Sequence, residues 1–302
     1  TGNFLVKDGK IAAITEDVTG FSADQEIDAK GLYVLPGLVD SHVHIREPEP
    51  HNREDFYTGT LAAAAGGITT IAEMPLAVPP PYSVENLEMR VKLAEEKCIT
   101  DFCMYGAAGY ENRETLGDLV EAGAVAFKTF LHPAPAGREG EFVGLTVGND
   151  GELYMMLKAA AKTDGRYYFH CENAQIIKKV EEELHAEGVE DFSFHYKSRI
   201  KVAETESVST IIQLAKATGA KVGIVHMSAP EACQLVKEAK AEGLDIKAET
   251  CFHYLTFDDS AIDKFGPYAK CNPPLRSKED VEKLWGYVAD GTIDYIGSDH
   301  AP

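Results

Sequence analysis

The stretch KVGIVHMSAPEACQLVKEAKAEGLDIKAETC, Lys221–Cys251, decides the fold class. A short β-rich run, Lys221–Met227, is followed by Ser228-Ala-Pro230, a good helix start, and then by an Ala-, Glu-, Lys- and Leu-rich pattern over 230–242. A second β-rich run follows at Asp245–Cys251. Strand, helix and strand at this spacing form the unit of a parallel sheet joined by crossovers.

The same alternation extends in both directions. Further β-rich runs are expected at Tyr33–Ile45, Thr69–Met74, Thr100–Ala107, Ala124–Leu131, Tyr167–Glu172 and Asp294–Ser298. Helical patterns fall near 54–66, 83–97, 113–122, 151–163, 174–187, 203–218 and 277–289. Eight such units predict an α/β protein built as a closed (β/α)8 TIM-type barrel, a fold of about 250 residues, with a doubly wound open sheet as the alternative. Residues 37–302 are assigned to the barrel. Residues 1–36 differ: Phe4-Leu-Val-Lys-Asp-Gly-Lys-Ile-Ala-Ala-Ile14 reads as two strands around an Asp-Gly turn, with a third strand expected at Gln25–Ile27. They are read as the opening strands of a small β-sandwich domain that is partial in this chain. The sequence stops three residues after Asp299, so the last barrel helix is expected to lie outside it.

Composition narrows the function classes. The 302 residues are 44% hydrophobic and 26% charged, enough for a large core. Lys and Arg total 29 against 49 Asp and Glu, and the formal charge of -20 argues against nucleic acid or an anionic membrane as partner. No run approaches a membrane span and the first residues form no export signal, so a cytoplasmic location is expected. The six cysteines lack any CxxC pair and are read as buried free thiols in a reducing compartment.

Active sites of such barrels lie at the carboxyl ends of the strands. Strand one ends in Asp40-Ser-His-Val-His44, and period-two alternation turns His42 and His44 to the same side. His170, His226 and Asp299 end three later strands. A single histidine is more often a core or loop residue; four of ten at strand ends point to a metal site, to which imidazole is well suited. Lys128 sits inside the apolar strand Gly123–Phe130, where burial leaves its amine nucleophilic and able to take up carbon dioxide as a metal-bridging carbamate. The alternative is a lysine that snorkels or binds a substrate anion.

The set Asp40-Ser-His-Val-His44, Phe127-Lys128, His170-Cys-Glu-Asn173, His226-Met-Ser228, Glu249-Thr-Cys-Phe-His-Tyr-Leu255, Lys270-Cys-Asn-Pro-Pro-Leu-Arg276 and Gly297-Ser-Asp-His-Ala-Pro302 resembles the cyclic amidohydrolases, the hydantoinase, allantoinase and dihydroorotase group. The resemblance covers nearly the whole chain. It implies two divalent metal ions, zinc being the best-suited choice. His42, His44 and Asp299 would hold one, His170 and His226 the other, and carboxylated Lys128 would bridge them. It also implies that Asp299 is the catalytic proton shuttle, set against an ordinary helix N-cap role, and that the chain assembles as a homodimer or homotetramer.

Subgroup markers diverge on the small-molecule cyclic amide. Arg46 resembles the arginine with which dihydroorotases hold a carboxylate, although a rim ion pair with Glu47 or another acid is the alternative. Met74-Pro75 is followed by Leu76, where dihydroorotases usually carry asparagine, while Glu73–Pro80 and Tyr105-Gly-Ala107 look closer to hydantoinases and allantoinases. Pro133 stands where dihydropyrimidinases commonly carry tyrosine. His253 resembles a histidine of allantoinases and dihydroorotases and is a candidate substrate contact, as is the backbone of Asn272. The expected activity is hydrolysis of a five-membered cyclic ureide such as hydantoin or allantoin. Dihydroorotase is the enzyme alternative, and a non-catalytic dihydropyrimidinase-like scaffold the alternative of another class.

Overall fold

The computed structural model describes residues 2–49 and 53–302. It divides into two compact units, Thr1–Pro36 and Gly37–Pro302. In the first, β1 (Asn3–Lys7) and β2 (Lys10–Thr15) pair antiparallel. The turn between them places Asp8 at φ 51° and Gly9 at φ 71°, the two left-handed residues that a tight hairpin turn with the right twist requires. The third strand expected at Gln25–Ile27 does not form: those residues are irregular and Ile27 is 79% exposed. A strand needs a partner edge, and the two-stranded ribbon pairs only with itself.

The second unit is a (β/α)8 barrel. Its strands, β3 (Leu38–Val43), β4 (Ile68–Glu73), β5 (Asp101–Ala107), β6 (Ala126–Phe130), β7 (Tyr167–His170), β8 (Val222–Ile224), β9 (Ile246–Cys251) and β10 (Tyr295–Gly297), lie side by side in chain order. All seven neighbouring pairs are parallel. The ends close through a parallel bridge from Val43 to His300, with the His44 N–H donating to the His300 carbonyl at 2.7 Å. Strand one is shorter than its apolar run suggests, because Tyr33–Leu35 is irregular and exposed.

The crossover helices are α1 (Phe56–Ala65), α2 (Val84–Lys97), α3 (Leu116–Glu121), α4 (Asp150–Ala160), α5 (Ala174–Ala186), α6 (Ser193–Ser198), α7 (Lys201–Thr218), α8 (Pro230–Ala241), α9 (Phe252–Thr256), α10 (Ala261–Phe265) and α11 (Lys278–Ala289). Asp55, Ser83, Asn149 and Ser277 cap α1, α2, α4 and α11 by accepting a first-turn N–H, and Pro230 opens α8. The short helices α6, α9 and α10 carry too little periodicity to be legible in the sequence.

Alternation along the strands sorts the core into layers. Phe127, Tyr167, Phe169, Val222 and Ile224 face outward into the helix ring, with Phe127 stacked on Tyr167 at 4.7 Å. Ala72, Met74, Tyr105, Ala126, Tyr168 and Val225 fill the lumen below the strand ends. All six cysteines are free; Cys171, Cys233 and Cys251 are buried and the others half-buried. Burial pushes the thiols of Cys171, Cys233 and Cys251 well up, and that of Cys271 to about 12. A chromogenic thiol reagent at pH 8 is therefore expected to titrate at most three cysteines in the folded protein and all six in denaturant. Rapid reaction of more than three without denaturant would contradict this layering.

Candidate metal centre

The barrel brings the strand-end residues together. His42 and His44 project from β3 into the mouth, with their Nε2 atoms 3.2 Å apart. Asp299 Oδ1, just past β10, lies 3.2 Å from the Nε2 of His42 and 3.4 Å from that of His44. These three ligand atoms lie within 4.8 Å of one another. Across the mouth, His170 Nδ1 from the end of β7 faces His226 Nε2 beyond β8 at 3.0 Å.

Each pair contains one ring whose second nitrogen donates to a buried carboxylate. His42 Nδ1 donates to Glu249 Oε1 at 2.6 Å, and His170 Nε2 donates to Glu172 Oε2 at 2.8 Å. The proton is thereby fixed on the far nitrogen, and the lone pair is turned towards the facing imidazole. The other member of each pair has a buried, unpartnered ring nitrogen, His44 Nδ1 and His226 Nδ1. Nitrogen lone pairs held against each other and against a carboxylate satisfy one another poorly, and a cation between them removes the mismatch. The residues therefore fit a divalent metal centre.

The electrostatics agree. Burial works against a charged His42, but Glu249 and Asp299 raise its pKa to about 9, so a proton does there what a metal cation would do. Burial, helped by the charges of His42 and Arg46 and opposed by Asp299, drives His44 down to about 3. Asp299 is held well below the usual carboxylate range, against its burial, by His42, His44 and His226. Lys128 is fully buried on β6. Desolvation lowers its amine to about 8, partly offset by Asp299 and Glu249; His226 is depressed first by its own burial and then by the Lys128 charge.

Backbone strain is concentrated at the same places. Among the described non-glycine residues, left-handed φ occurs at Asp8 and at three strand-end residues, Arg46 (66°), His226 (41°) and Asp299 (51°). Buried acids hold these kinks. Glu73 accepts from the N–H groups of Ile45 and Arg46, Glu249 from that of His226 at 3.2 Å, and Asp40 from those of His42 and Ser298. Arg90, itself buried, anchors Glu73 at 2.7 Å. Gly297 is required by close approach: a Cβ there would sit 2.9 Å from that of His42 and 3.2 Å from the Glu249 carboxyl carbon.

Glu249 thus holds both the His42 ring and the His226 backbone. Glu249→Gln is expected to keep the fold and lower metal affinity by ~10–100-fold, the usual cost of losing an outer-shell carboxylate. Competition with a chromogenic chelator measures it; wild-type affinity in the variant would show that the carboxylate does not set the ring.

The remaining candidates lie around this centre. Arg46 is buried and donates from Nη1 to Glu141 Oε2 at 3.2 Å, while Glu141 also takes two hydrogen bonds from Arg138. Its ion-pair partner is therefore Glu141 and not the neighbouring Glu47, which pairs with Lys97. The Arg46 Nε is buried without a partner. His253, at the start of α9, is half-buried with an unpartnered buried Nε2, and Asp299 and His42 both act on its charge. Asn272 is exposed on the loop before α11. Sequence reasoning quotes Glu172 and Glu249 within motifs without giving them a role, and does not reach Glu141 and His132. The last lies two residues past β6, its ring edge-on to His170 at 5.5 Å. Its position four residues beyond Lys128 was the available signal.

The chain is similar to known proteins over nearly its whole length. Residues 33–302 match the amidohydrolase family. An allantoinase of Bacillus licheniformis is 40% identical over 305 residues, covering 98% of this chain and 66% of the relative. An allantoinase of Salmonella choleraesuis is 37% identical over 301 residues, covering 99% of this chain and 66% of the relative. The chain thus spans just under two thirds of the length of these curated relatives. The solved structure of an L-hydantoinase (dihydropyrimidinase) from Arthrobacter aurescens superposes with a TM-score of 0.90 at 34% identity, covering 98% of this chain and 65% of that one.

Proposed function

The chain belongs to the amidohydrolase family, and from that premise we propose that it opens a ring C–N bond of a five-membered cyclic ureide, hydantoin or allantoin in type. Four buried imidazoles support the reading, their nitrogens set in two facing pairs beside Asp299 and a desolvated Lys128. His42, His44 and Asp299 would hold one divalent ion and His170 and His226 the other, with Lys128 as a carbamate between them and zinc as the ion. A metal pair, when bound, supplies a hydrolytic water that ionises near neutral pH and polarises the scissile carbonyl.

The chain's own groups do the rest. Asp299 Oδ1 is taken up by the two imidazoles, which leaves Oδ2 to receive the proton of the attacking water. The same oxygen then delivers that proton to the ring nitrogen as the C–N bond breaks, so that a neutral urea NH2 group leaves and not its anion. The left-handed backbone of Asp299 and the Asp40 contact at Ser298 fix the carboxylate in place for both transfers. His253 Nε2 and the backbone of Asn272 would contact the ring from the β9 side.

Arg46 supports a neutral ring over a carboxylated one. Its charge is met by Glu141, so its remaining donors suit a carbonyl oxygen better than a second carboxylate. A cytoplasmic location and a homodimeric or homotetrameric assembly belong to the same proposal; no helix among the described residues is long and apolar enough to cross a membrane. Ring opening by the zinc-loaded protein, measured in parallel on hydantoin, 5-substituted hydantoins, allantoin, dihydrouracil and dihydroorotate, tests the reading. Turnover of hydantoins or allantoin without dihydroorotate is expected. Preference for dihydroorotate would make Arg46 a carboxylate anchor, and inactivity on every ring with two metals bound would overturn the hydrolase reading.

A further inference from the structure

His132 stands in the barrel mouth without a role in the chemistry described so far. Its ring packs against Phe130 at 5.3 Å and Phe142 at 5.9 Å, and edge-on against His170 at 5.5 Å. It therefore forms part of the wall beside the second imidazole pair. Its Nδ1 lies 2.8 Å from the carbonyl oxygen of Pro133. A carbonyl only accepts, so Nδ1 carries the proton and the neutral ring has its lone pair on Nε2. No hydrogen bond reaches that Nε2 from any described residue, and the side chain is only half-buried. A protein acceptor is thus held by three aromatic contacts and a backbone hydrogen bond, and is left open at the mouth.

The wall around it offers little else for a substrate N–H. Phe130, Phe142, Leu145 and Leu76 are apolar, and the nearby acid, Glu172, is taken up by His170 and Arg199. We propose that His132 is a specificity-determining residue whose Nε2 accepts a hydrogen bond from a ring N–H of the substrate. The site would then select cyclic amides with an unsubstituted N–H over their N-alkylated counterparts. This rests on the ureide reading above and narrows it.

The test compares hydantoin with 1-methyl- and 3-methylhydantoin, using calorimetric binding and turnover of the zinc-loaded wild type, His132→Phe and His132→Gln. Phenylalanine keeps the ring packing and removes the acceptor, whereas glutamine returns an acceptor near the Nε2 position. Wild type is expected to prefer hydantoin over one methylated ring by at least ~10-fold, since a site built to pair a polar group rejects the analogue lacking it. His132→Phe should lose most of that preference by a rise in KM for hydantoin with kcat within about threefold, and His132→Gln should recover part of it. Both variants should retain wild-type metal content. An unchanged preference in His132→Phe overturns the proposal, and so does the loss of a metal equivalent, which would make His132 a ligand. If wild type neither binds nor opens any of the three rings nor allantoin, the ureide reading fails and this inference fails with it, whereas opening of allantoin with no binding of hydantoin overturns this inference alone.

Discussion

Lys128→Ala is expected to leave a folded barrel that no longer holds two metal ions and no longer turns over substrate. Lys128 is fully buried on β6, between Phe127 and Thr129, which point into the helix ring. A buried ammonium between two groups of metal-ligand candidates would repel the ions those groups bind. Desolvation eases the conflict by lowering the amine to about 8, which raises the fraction that is neutral and nucleophilic. In the proposed carbamate the amine lone pair would attack the carbon of carbon dioxide and the nitrogen would give up a proton to solvent, leaving one negative charge and two oxygens to share. Alanine removes that anion and leaves a cavity, so the defect should exceed the ~10–100-fold typical of an outer-shell loss. Metal analysis should read less than two ions per chain, with a far-ultraviolet spectrum like that of wild type. Acetate or propionate, small enough for the cavity, should restore part of both metal binding and turnover. Carbon-13 bicarbonate should give a carbamate resonance in wild type and none in the variant. Full metal content and activity in Lys128→Ala would remove the bridging role.

Most of this architecture is legible in the sequence, for a physical reason. Strands and helices are local periodicities, so seven of the eight parallel strands emerge within three residues of their observed ends, the first starting five residues later than its apolar run suggests, and His42 and His44 share a side because they are two apart. Lys128 stands out because a cation inside an apolar strand breaks the pattern. What stays hidden depends on pairings across the fold. The Glu249–His42 contact spans 207 residues and the Glu141–Arg46 pair spans 95, and no window of periodicity reaches so far. The left-handed kinks at Arg46, His226 and Asp299 are equally silent, because they are imposed by the buried acids that hold them and not by the residues themselves. His132 offers only its position four residues beyond Lys128, which does not tell what its ring meets. Its partners are Phe130, Phe142 and His170, assembled only when the loop after β6 folds back over the mouth.

Asp299→Asn separates holding a metal from moving a proton. Asparagine matches aspartate in size and is among the few residues that readily adopt a left-handed backbone, so φ 51° is retained without added strain. Its amide oxygen can still face the Nε2 atoms of His42 and His44, and metal content should stay near that of wild type. The amide cannot accept a proton from water and return it to nitrogen, so kcat should fall by ~10²–10⁴-fold with KM little changed. The fall should depend on the leaving group. A ring nitrogen that bears an electron-withdrawing substituent departs more easily as an anion and needs less protonation, so the variant's defect should shrink along such a series. A uniform defect would assign Asp299 to binding and not to proton transfer, and near-normal turnover would exclude the shuttle role. Asp299→Ala is the control: it removes the ligand oxygen and places alanine at a left-handed φ, at a cost of ~1–2 kcal/mol. It should therefore lose metal and turnover together, a joint loss that Asp299→Asn should not show.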